Sequence, residues 1–534
     1  MGIYINRGNG SFRSARQSDY VDKSALISFI NGTINTENRF TCVSRARRFG
    51  KSMAARMLYA YYDKSSDSRK LFEDLRVADP ANAANQNPDT AFETHLNKYP
   101  TLYIDITDFT SEYHDNDQII HILVNKVRKD IRAAYPAVAF HPDDSLMDTL
   151  LTITEQTGEQ FILIIDEWDA LCRELTDKPQ LMEDYIRLLR SLFKAGNTDR
   201  VFAAVYMTGI LPIKQYGTQS ALNNFQPYSM VNPDPIGGYY GFTADEVRTL
   251  CAAHGMPYAE MEKWYDGYDM GAAGHIFNPT SVMLALRKRR FDNYWSQTSS
   301  FESIRNYINM DFDGVKQTIE NLLIGNEEQV PVLNYGNDRN ALESRDELFA
   351  LLTHYGYFAY NLNHQTLHIP NQEVRAELLQ VVKTGNRPEL VQLIKQSDQL
   401  LEATLSMDEA YVAQALDTLH SQYTSPRFYN NEQSLRALVR YAYIGATGSF
   451  VPMEELPSGK DFVNVAFIPA HPNGKPVILV ELKYDETADT AIRQVKEQRY
   501  PEKLAQFTGN LLLVGINYDK KTKKHTCRIE HYEP

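Results

Sequence analysis

Cysteine is scarce: Cys42, Cys172, Cys251 and Cys527 are scattered over 534 residues with no C-x-x-C pair. That leaves neither a disulfide framework nor a zinc site with workable spacing, and suits a reducing compartment. No run approaches 18 consecutive apolar residues, so no membrane-spanning helix is expected. The first twenty residues, MGIYINRGNGSFRSARQSDY, contain no hydrophobic h-region, which argues against secretion and for a cytoplasmic protein. An excess of positive charge is also missing. The chain carries 55 Lys and Arg against 68 Asp and Glu, a net −13, which disfavours a uniformly cationic coat for nucleic acid while permitting a local basic patch. With 43% hydrophobic residues the chain can bury several cores, and its length accommodates about three domains of ordinary size.

What is present is a strand, turn and helix in residues 40–52, FTCVSRARRFGKS. Phe40, Thr41, Cys42 and Val43 form a β-prone apolar run, residues 44–49 a basic turn, and Gly50-Lys51-Ser52 opens onto a helical pattern with Met53, Ala54, Met57, Leu58 and Tyr61. Unpaired backbone N–H groups and the positive end of a helix dipole suit that point to a phosphate chain. In loops of the form G-x-x-x-x-G-K-[ST] the Lys reaches the β- and γ-phosphates of ATP and the hydroxyl ligates Mg²⁺, which assigns those roles to Lys51 and Ser52. Arg48 and Gly50 complete the nucleotide-binding residues expected in the turn. One element is absent: Arg45 stands where the first Gly of such a loop belongs.

Further segments extend this pattern. Asp22-Lys23 precedes a helical pattern (Leu26, Ile27, Ile30) and reads either as a helix cap with a surface charge or as a pair near the nucleotide. LYID at 102–105 reads as a buried strand ending in a carboxylate. The continuous apolar run in FILIIDE at 161–167 is that of a central parallel strand covered on both faces. Its end carries Asp166, expected to hold the Mg²⁺ shell, and Glu167, expected to polarise the attacking water. Acidic strand ends also occur without chemistry; the GKS about 110 residues upstream makes this pair specific. VFAAVYM at 201–207 reads as a third strand leading to Thr208-Gly209, where the Thr208 hydroxyl either senses a γ-phosphate or occupies a strand-end turn. Between the last two strands, residues 178–195 read as an amphipathic helix with Tyr185, Leu188, Leu189 and Leu192 on one face.

RARRFGKS, DEWD and MTGILPI together resemble the AAA-ATPase-like family of bacterial P-loop proteins, itself similar to archaeal-type ATPases whose loop reads G-P-R-R-x-G-K-[ST]. YVDKS at 20–24, GGYYGFTADEV at 237–247, WYDGY at 264–268 and FNPTSV at 277–282 resemble the same family, so the likeness spans roughly residues 3–290. Arg45 in place of the first Gly is similar to what that family tolerates, and leaves open how tightly the loop wraps the phosphates. The resemblance implies an ATP-binding and ATP-hydrolysing parallel sheet over residues 1–235 and a small helical lid over 236–290. Trp264, Tyr265 and Tyr268 read as core aromatics. Residues 291–425 show amphipathic patterns without a chemical constellation and read as a helical connector.

The last 109 residues change character. From Pro426 onward there are 15 Lys and Arg against 13 Asp and Glu, whereas the rest of the chain has 40 against 55. Lys520, Lys521, Lys523 and Lys524 cluster there, as a phosphate-backbone contact or as a solvated hairpin tip. Glu432 heads a helical pattern, Asp461 opens a strand-like run to Ile468, and VILVELK at 477–483 puts Glu481 and Lys483 on one strand face with Leu482 on the other. If those strands pair, Asp461 joins them, giving two carboxylates for Mg²⁺ and an ammonium to orient hydroxide or offset charge on phosphorus. This order, with AIRQVKEQRY at 491–500 and LLLVGINYD at 511–519, resembles the PD-(D/E)xK nuclease superfamily. The resemblance implies a restriction-endonuclease-like domain over 426–534 in which Asp461, Glu481 and Lys483 are catalytic. Asp461, Glu481 and Glu432 would be metal ligands, and Gln494 a residue of the site helix.

The sequence thus reads as an α/β protein in four parts: a P-loop parallel sheet, a helical lid, a helical connector and a C-terminal α/β nuclease-like domain. The expected cofactors are ATP and Mg²⁺ and the expected partner is DNA or RNA, with no membrane; a homo-oligomer is compatible with this class. The rival is a nucleotide-gated scaffold whose C-terminal fold grips nucleic acid or protein without cutting. A small-molecule kinase is disfavoured by Glu167 and by the appended module.

Overall fold

The computed structural model describes residues 2–532 apart from 176, 195, 214–221, 296–306, 309–311, 333–341, 343, 385–387, 424–431, 459–460, 471–473 and 498–509. The side chains of residues 422, 423, 432, 433, 454–458 and 461–464 are likewise outside the description. The chain divides into two compact units, one of residues 1–262, 266–288 and 329–367, the other of 263–265, 289–328 and 368–534. The divisions expected at 235 and 290 follow from the family resemblance and that at 425 from the change in charge; the two units are bounded elsewhere. The expected connector is shared between the units and is not wholly helical, since Ala359–Asn361 and Thr366–His368 are strands.

The first unit is built on five parallel strands: β1 Phe40–Ser44, β2 Thr101–Asp105, β3 Phe161–Asp166, β4 Phe202–Gly209 and β5 Gln226–Tyr228, in the order β2-β3-β4-β1-β5. The apolar runs exist because both faces are covered, and side chains alternate between two cores. Phe161, Leu163 and Ile165 of β3 enter one core with residues of the helices Ile119–Ala134, Leu146–Thr157 and Pro179–Phe193. Ile162 and Ile164 enter the other with the helix Lys51–Tyr62, which buries Ala54, Met57, Leu58 and Tyr61 there. The expected helix over 178–195 is Pro179–Phe193, with Tyr185, Leu189 and Leu192 buried and Leu188 partly so. Topology then sets the chemistry. Insertion of β4 between β1 and β3 brings Ser44, Thr208 and Asp166 to neighbouring carboxyl ends, where α/β sheets bind ligands.

The outer edge of the sheet is covered by the chain's own beginning. Ile5 bridges Leu102 of β2, Tyr103 donates its N–H to Tyr4 O at 2.9 Å, and Asp130 accepts the backbone N–H groups of Ile3, Tyr4 and Ile5.

The expected lid is not all helix. It pairs Phe242–Thr243 and Tyr268–Asp269 with His275–Phe277 and adds helices Ala244–His254 and Pro279–Lys288. Gly241, at φ +90°, donates its N–H to Phe49 O at 3.0 Å. A Cβ there would overlap Ile276 Cγ2 and lie 3.0 Å from Phe277 O.

In the second unit a five-stranded sheet runs in chain order, Phe450–Ser458, Asp461–Pro469, Val477–Tyr484, Leu511–Asp519 and Lys524–Tyr532. All neighbours are antiparallel except Val477–Tyr484 and Leu511–Asp519, which are parallel and flank the helix Ala488–Glu497 in sequence. Ile492 and Val495 of that helix bury against Leu479, Leu511 and Leu513. The helices Gln372–Thr384, Pro388–Leu405 and Glu409–Tyr423 precede the sheet.

Gly241→Ala tests the close approach of lid and P-loop turn. Overlap and a left-handed backbone together should cost about 2–3 kcal/mol, read as a lower midpoint in urea unfolding; a change under about 0.5 kcal/mol would contradict the packing described.

Candidate nucleotide site

The P-loop turn leaves β1 at Ser44, whose hydroxyl donates to Leu211 O at 2.7 Å, and re-enters regular structure at the helix Lys51–Tyr62. To fit a phosphate-sized turn between them, Arg48 and Gly50 adopt left-handed backbones, φ +69° and +85°. Gly50 is the N-cap and offers no side chain to the first helical N–H groups. Lys51 is 3% exposed, and its Nζ donates to Arg45 O at 3.1 Å and Ala46 O at 3.2 Å, folding the ammonium into the loop. Arg45, in the place of the missing Gly, is fully buried. Its guanidinium donates to Ser44 O at 2.9 Å and Tyr228 O at 3.1 Å and lies 5.3 Å from the Tyr240 ring centroid, while Nε and Nη2 have no partner. Burial pushes its pKa down to about 10.

The acids stand one strand away. Asp166 is fully buried, accepting from the Tyr103 hydroxyl at 2.8 Å, from the Thr208 hydroxyl, and from Glu167 N–H at 3.1 Å. Glu167, with a left-handed backbone at φ +50°, turns its carboxylate to Lys51 Nζ at 3.4 Å and Arg173 Nη2 at 2.6 Å. Burial raises its pKa, but the two cations outweigh burial and hold it below the ordinary glutamate value. Thr208 does not line the cavity described next. Its hydroxyl is buried, donates to Asp166 and accepts the Glu167 N–H at 3.3 Å.

A cavity of about 620 Å³ opens onto Lys51, Ser52, Glu167 and Arg173, with Asp166 buried behind its wall. Lys23, Arg47, Arg48, Lys51, Arg173 and Arg287 outnumber the acids Asp19, Glu167 and Glu174 in its charged lining; Tyr20, Val21, Met53, Met57, Met283 and Leu284 supply an apolar one. That division suits a ligand with a polyanionic chain and a flat apolar body. The Asp22-Lys23 pair divides in role. Asp22 caps backbone, accepting from Ser24 and Arg76 N–H at 2.8 Å each, whereas Lys23 lines the cavity and pairs with Glu246 at 2.6 Å. Ser52 and Asp166 offer the hard oxygen donors that Mg²⁺ takes, and the Tyr103 and Thr208 hydroxyls hold the Asp166 carboxyl in place, so the residues fit the ion.

Sequence reasoning missed Asp169 and Arg173, although D-E-x-D-x-x-x-R places them one helical turn apart. Asp169 accepts from Arg173 Nε at 3.0 Å and from the backbone N–H groups of Ile210 and Leu211. Gly209 leaves room for it: a Cβ there would lie 2.6 Å from Asp169 Oδ1.

In the second unit Glu481 is 1% exposed and Lys483 half-buried on the same strand. Val465–Phe467 pair with Ile478–Val480 in antiparallel register. Asp461 lies before that stretch and Glu481 after it, hence at the same end of the sheet. Gln494 lies on the helix Ala488–Glu497. Glu432 begins the helix Glu432–Ala442; the side chains of Glu432 and Asp461 lie outside the described residues. Among the described residues no three His, Cys, Asp or Glu form a metal-sized group, and no helix is long and apolar enough to cross a membrane.

Asp105, beside Asp166 in register, accepts Thr107 N–H at 3.0 Å; burial foremost, aided by the charge of Asp166 and opposed by Thr107, pushes its pKa up to about 6. A raised carboxyl pKa contributes stability at low pH that is lost as pH rises through the folded value. Asp105→Asn keeps the cap and removes the cost of ionisation. It should stabilise the chain by about 3 kcal/mol at pH 8 and roughly half that at pH 5, measured by denaturant unfolding at both; an unchanged or inverted pH trend would contradict this.

A protein of Azotobacter chroococcum mcd 1, described as an uncharacterized protein in the vnfD 5' region, is 24% identical over 550 residues, covering 97% of this chain and 96% of the relative. Among solved structures, that of the Aeropyrum pernix ORC2 protein in ADPNP–ADP complexes is 12% identical, covering 69% of this chain and 97% of that one at a TM-score of 0.31, a likeness too slight to transfer chemistry. Within the span of roughly 3–290 read from sequence, residues 8–218, which carry the P-loop, Asp166, Glu167 and Arg173, match the AAA-ATPase-like family, described as a predicted AAA-ATPase.

Proposed function

We propose that the first unit binds ATP with Mg²⁺ and hydrolyses it. The observation that carries this is the convergence of Lys51, Ser52, Glu167 and Arg173 on one cavity, within the segment that matches the ATPase family. Lys51 leaves the carbonyls of Arg45 and Ala46 for the β- and γ-phosphates, a short swing that exchanges dipoles for full charges. Ser52 and Asp166 would hold Mg²⁺, which would supply positive charge beside the phosphates. Glu167, released from Lys51, orients the attacking water and accepts its proton. Met53, Met57 and Tyr20 provide the apolar wall for the base. Lys51→Ala should reduce hydrolysis by about 10²–10³-fold and weaken ATP binding. Glu167→Gln should spare binding and slow turnover by about 10²–10⁴-fold. Phosphate release and nucleotide titration check both, and a Lys51→Ala protein hydrolysing ATP like the parent defeats the reading.

A second reading concerns the other unit, which we propose to be a metal-dependent nuclease acting on DNA or RNA in response to the nucleotide. What supports it is the placing of Asp461, Glu481 and Lys483 at one end of a mixed sheet whose parallel pair flanks a helix in sequence. The exposed Lys520, Lys521, Lys523 and Lys524 join the strands Leu511–Asp519 and Lys524–Tyr532, and the tip is fixed by Lys520 N–H donating to Asp485 at 2.7 Å. Asp485 is two residues past Lys483, so the basic turn stands beside the Glu481–Lys483 strand end. Purified protein incubated with plasmid, linear and single-stranded substrates, with and without ATP and Mg²⁺, should cut. Glu481→Gln and Asp461→Ala should abolish cutting with ATP turnover intact, and Lys51→Ala should alter it if the units are coupled. Binding without cleavage under every condition would favour the scaffold alternative.

A further inference from the structure

The cations of the cavity raise the question of which one meets the γ-phosphate besides Lys51. We propose that Arg173 completes the phosphate site from within the same chain, contacting the γ-phosphate during hydrolysis; this rests on the ATPase reading and adds a residue to it.

Its placement is the first argument. Arg173 is on the short helix Ala170–Glu174 that follows β3, its side chain is 4% exposed, and it lines the same cavity as Lys51 and Ser52. Lys51 and Arg173 grip the two oxygens of one carboxylate, Glu167 Oε1 at 3.4 Å and Oε2 at 2.6 Å. A phosphate that reaches Lys51 while its attacking water reaches Glu167 is therefore about one hydrogen-bond length from the guanidinium.

The second argument is donor supply. Nε donates to Asp169 and Nη2 to Glu167, while Nη1 stands 3.8 Å from Glu174, beyond hydrogen-bond range. With Nε and Nη2 engaged, the guanidinium keeps the donors of Nη1 for an anion, and a guanidinium is well suited to phosphate.

The third is rigidity. Asp169 is itself fixed by the N–H groups of Ile210 and Leu211, so Arg173 is braced against the chain leaving β4. It need not be recruited from a second molecule and is aligned before the nucleotide arrives, which lowers the reorganisation needed at the transition state.

Calorimetric titration of ADP and of a non-hydrolysable ATP analogue, with phosphate-release assays on ATP, tests the proposal. Arg173→Ala should weaken the analogue about tenfold while leaving ADP within about twofold, and slow hydrolysis by about 10²–10³-fold. Arg173→Lys keeps a cation beside Asp169 and should fall between. It also serves as the reading variant if Arg173→Ala does not fold by circular dichroism. Mixing Arg173→Ala with Lys51→Ala protein should not restore turnover, because each molecule lacks part of its own site. Equal losses for ADP and the analogue, or none, would make Arg173 structural only and overturn the proposal. Restored turnover on mixing would assign the arginine to a partner chain and overturn it equally. A wild-type chain that binds neither nucleotide would overturn the ATPase reading itself, whereas tight nucleotide binding with an unaltered Arg173→Ala profile would overturn this inference alone.

Discussion

A carboxylate withdrawn from water must be matched by positive charge, and in the first unit that requirement arises where β3 ends. Asp166 and Glu167 are neighbours in sequence, yet the left-handed backbone of Glu167 sends their side chains to different surroundings. Asp166 is satisfied by neutral donors, the Tyr103 and Thr208 hydroxyls and the Glu167 N–H. Glu167 is satisfied by two full charges, Lys51 and Arg173. The first acid is thus held by neutral donors and the second by charged side chains of the chain. Insertion of β4 between β1 and β3 makes both arrangements possible, because Thr208 stands between the P-loop strand and the acids.

Arg45 shows how the loop does without its usual first glycine. A glycine there gives the chain freedom in a tight turn. Here the turn is constrained by a side chain that ties the loop's base to β5 through Tyr228 O and to the lid through the Tyr240 ring. The freedom needed elsewhere is taken at Arg48 and Gly50. Burying an arginine with two unpartnered nitrogens is costly, and the cation–π contact with Tyr240 offsets only part of that cost. The loop is therefore more committed to its lid than a glycine-rich one would be.

Much of the first unit was legible because its signals are short-range and additive: apolar runs for strands covered on both faces, a basic turn, a helix start, two acids at a strand end. Thr208 was placed correctly at the sheet's carboxyl end, but its partner could not be read, since hydroxyl orientation depends on Asp166 across the strand pair. Arg173 escaped because the i,i+4 spacing to Asp169 is common on helices, and only the fold turns Glu167 toward the same guanidinium. The expected connector failed for a different reason. Amphipathic helices report that they bury a face, not against which unit, so residues 329–367 and 368–425 looked alike in sequence while clustering apart. In the second unit the strands and helices were readable from local pattern, whereas the sharing of one sheet end by Asp461 and Glu481 depends on how the strands pair.

The antiparallel bridge between Ile5 and Leu102 has a consequence for solution behaviour. β2 is a border strand, and such strands present backbone donors and acceptors that can template pairing with another chain. The segment around Tyr4 occupies that border, and Asp130 secures the segment by accepting three of its amides. A chain shortened past Ile5 would keep every residue of the nucleotide cavity, yet it would expose this border to its neighbours. Loss of the first few residues should therefore show itself as self-association and poor solubility rather than as a chemical defect.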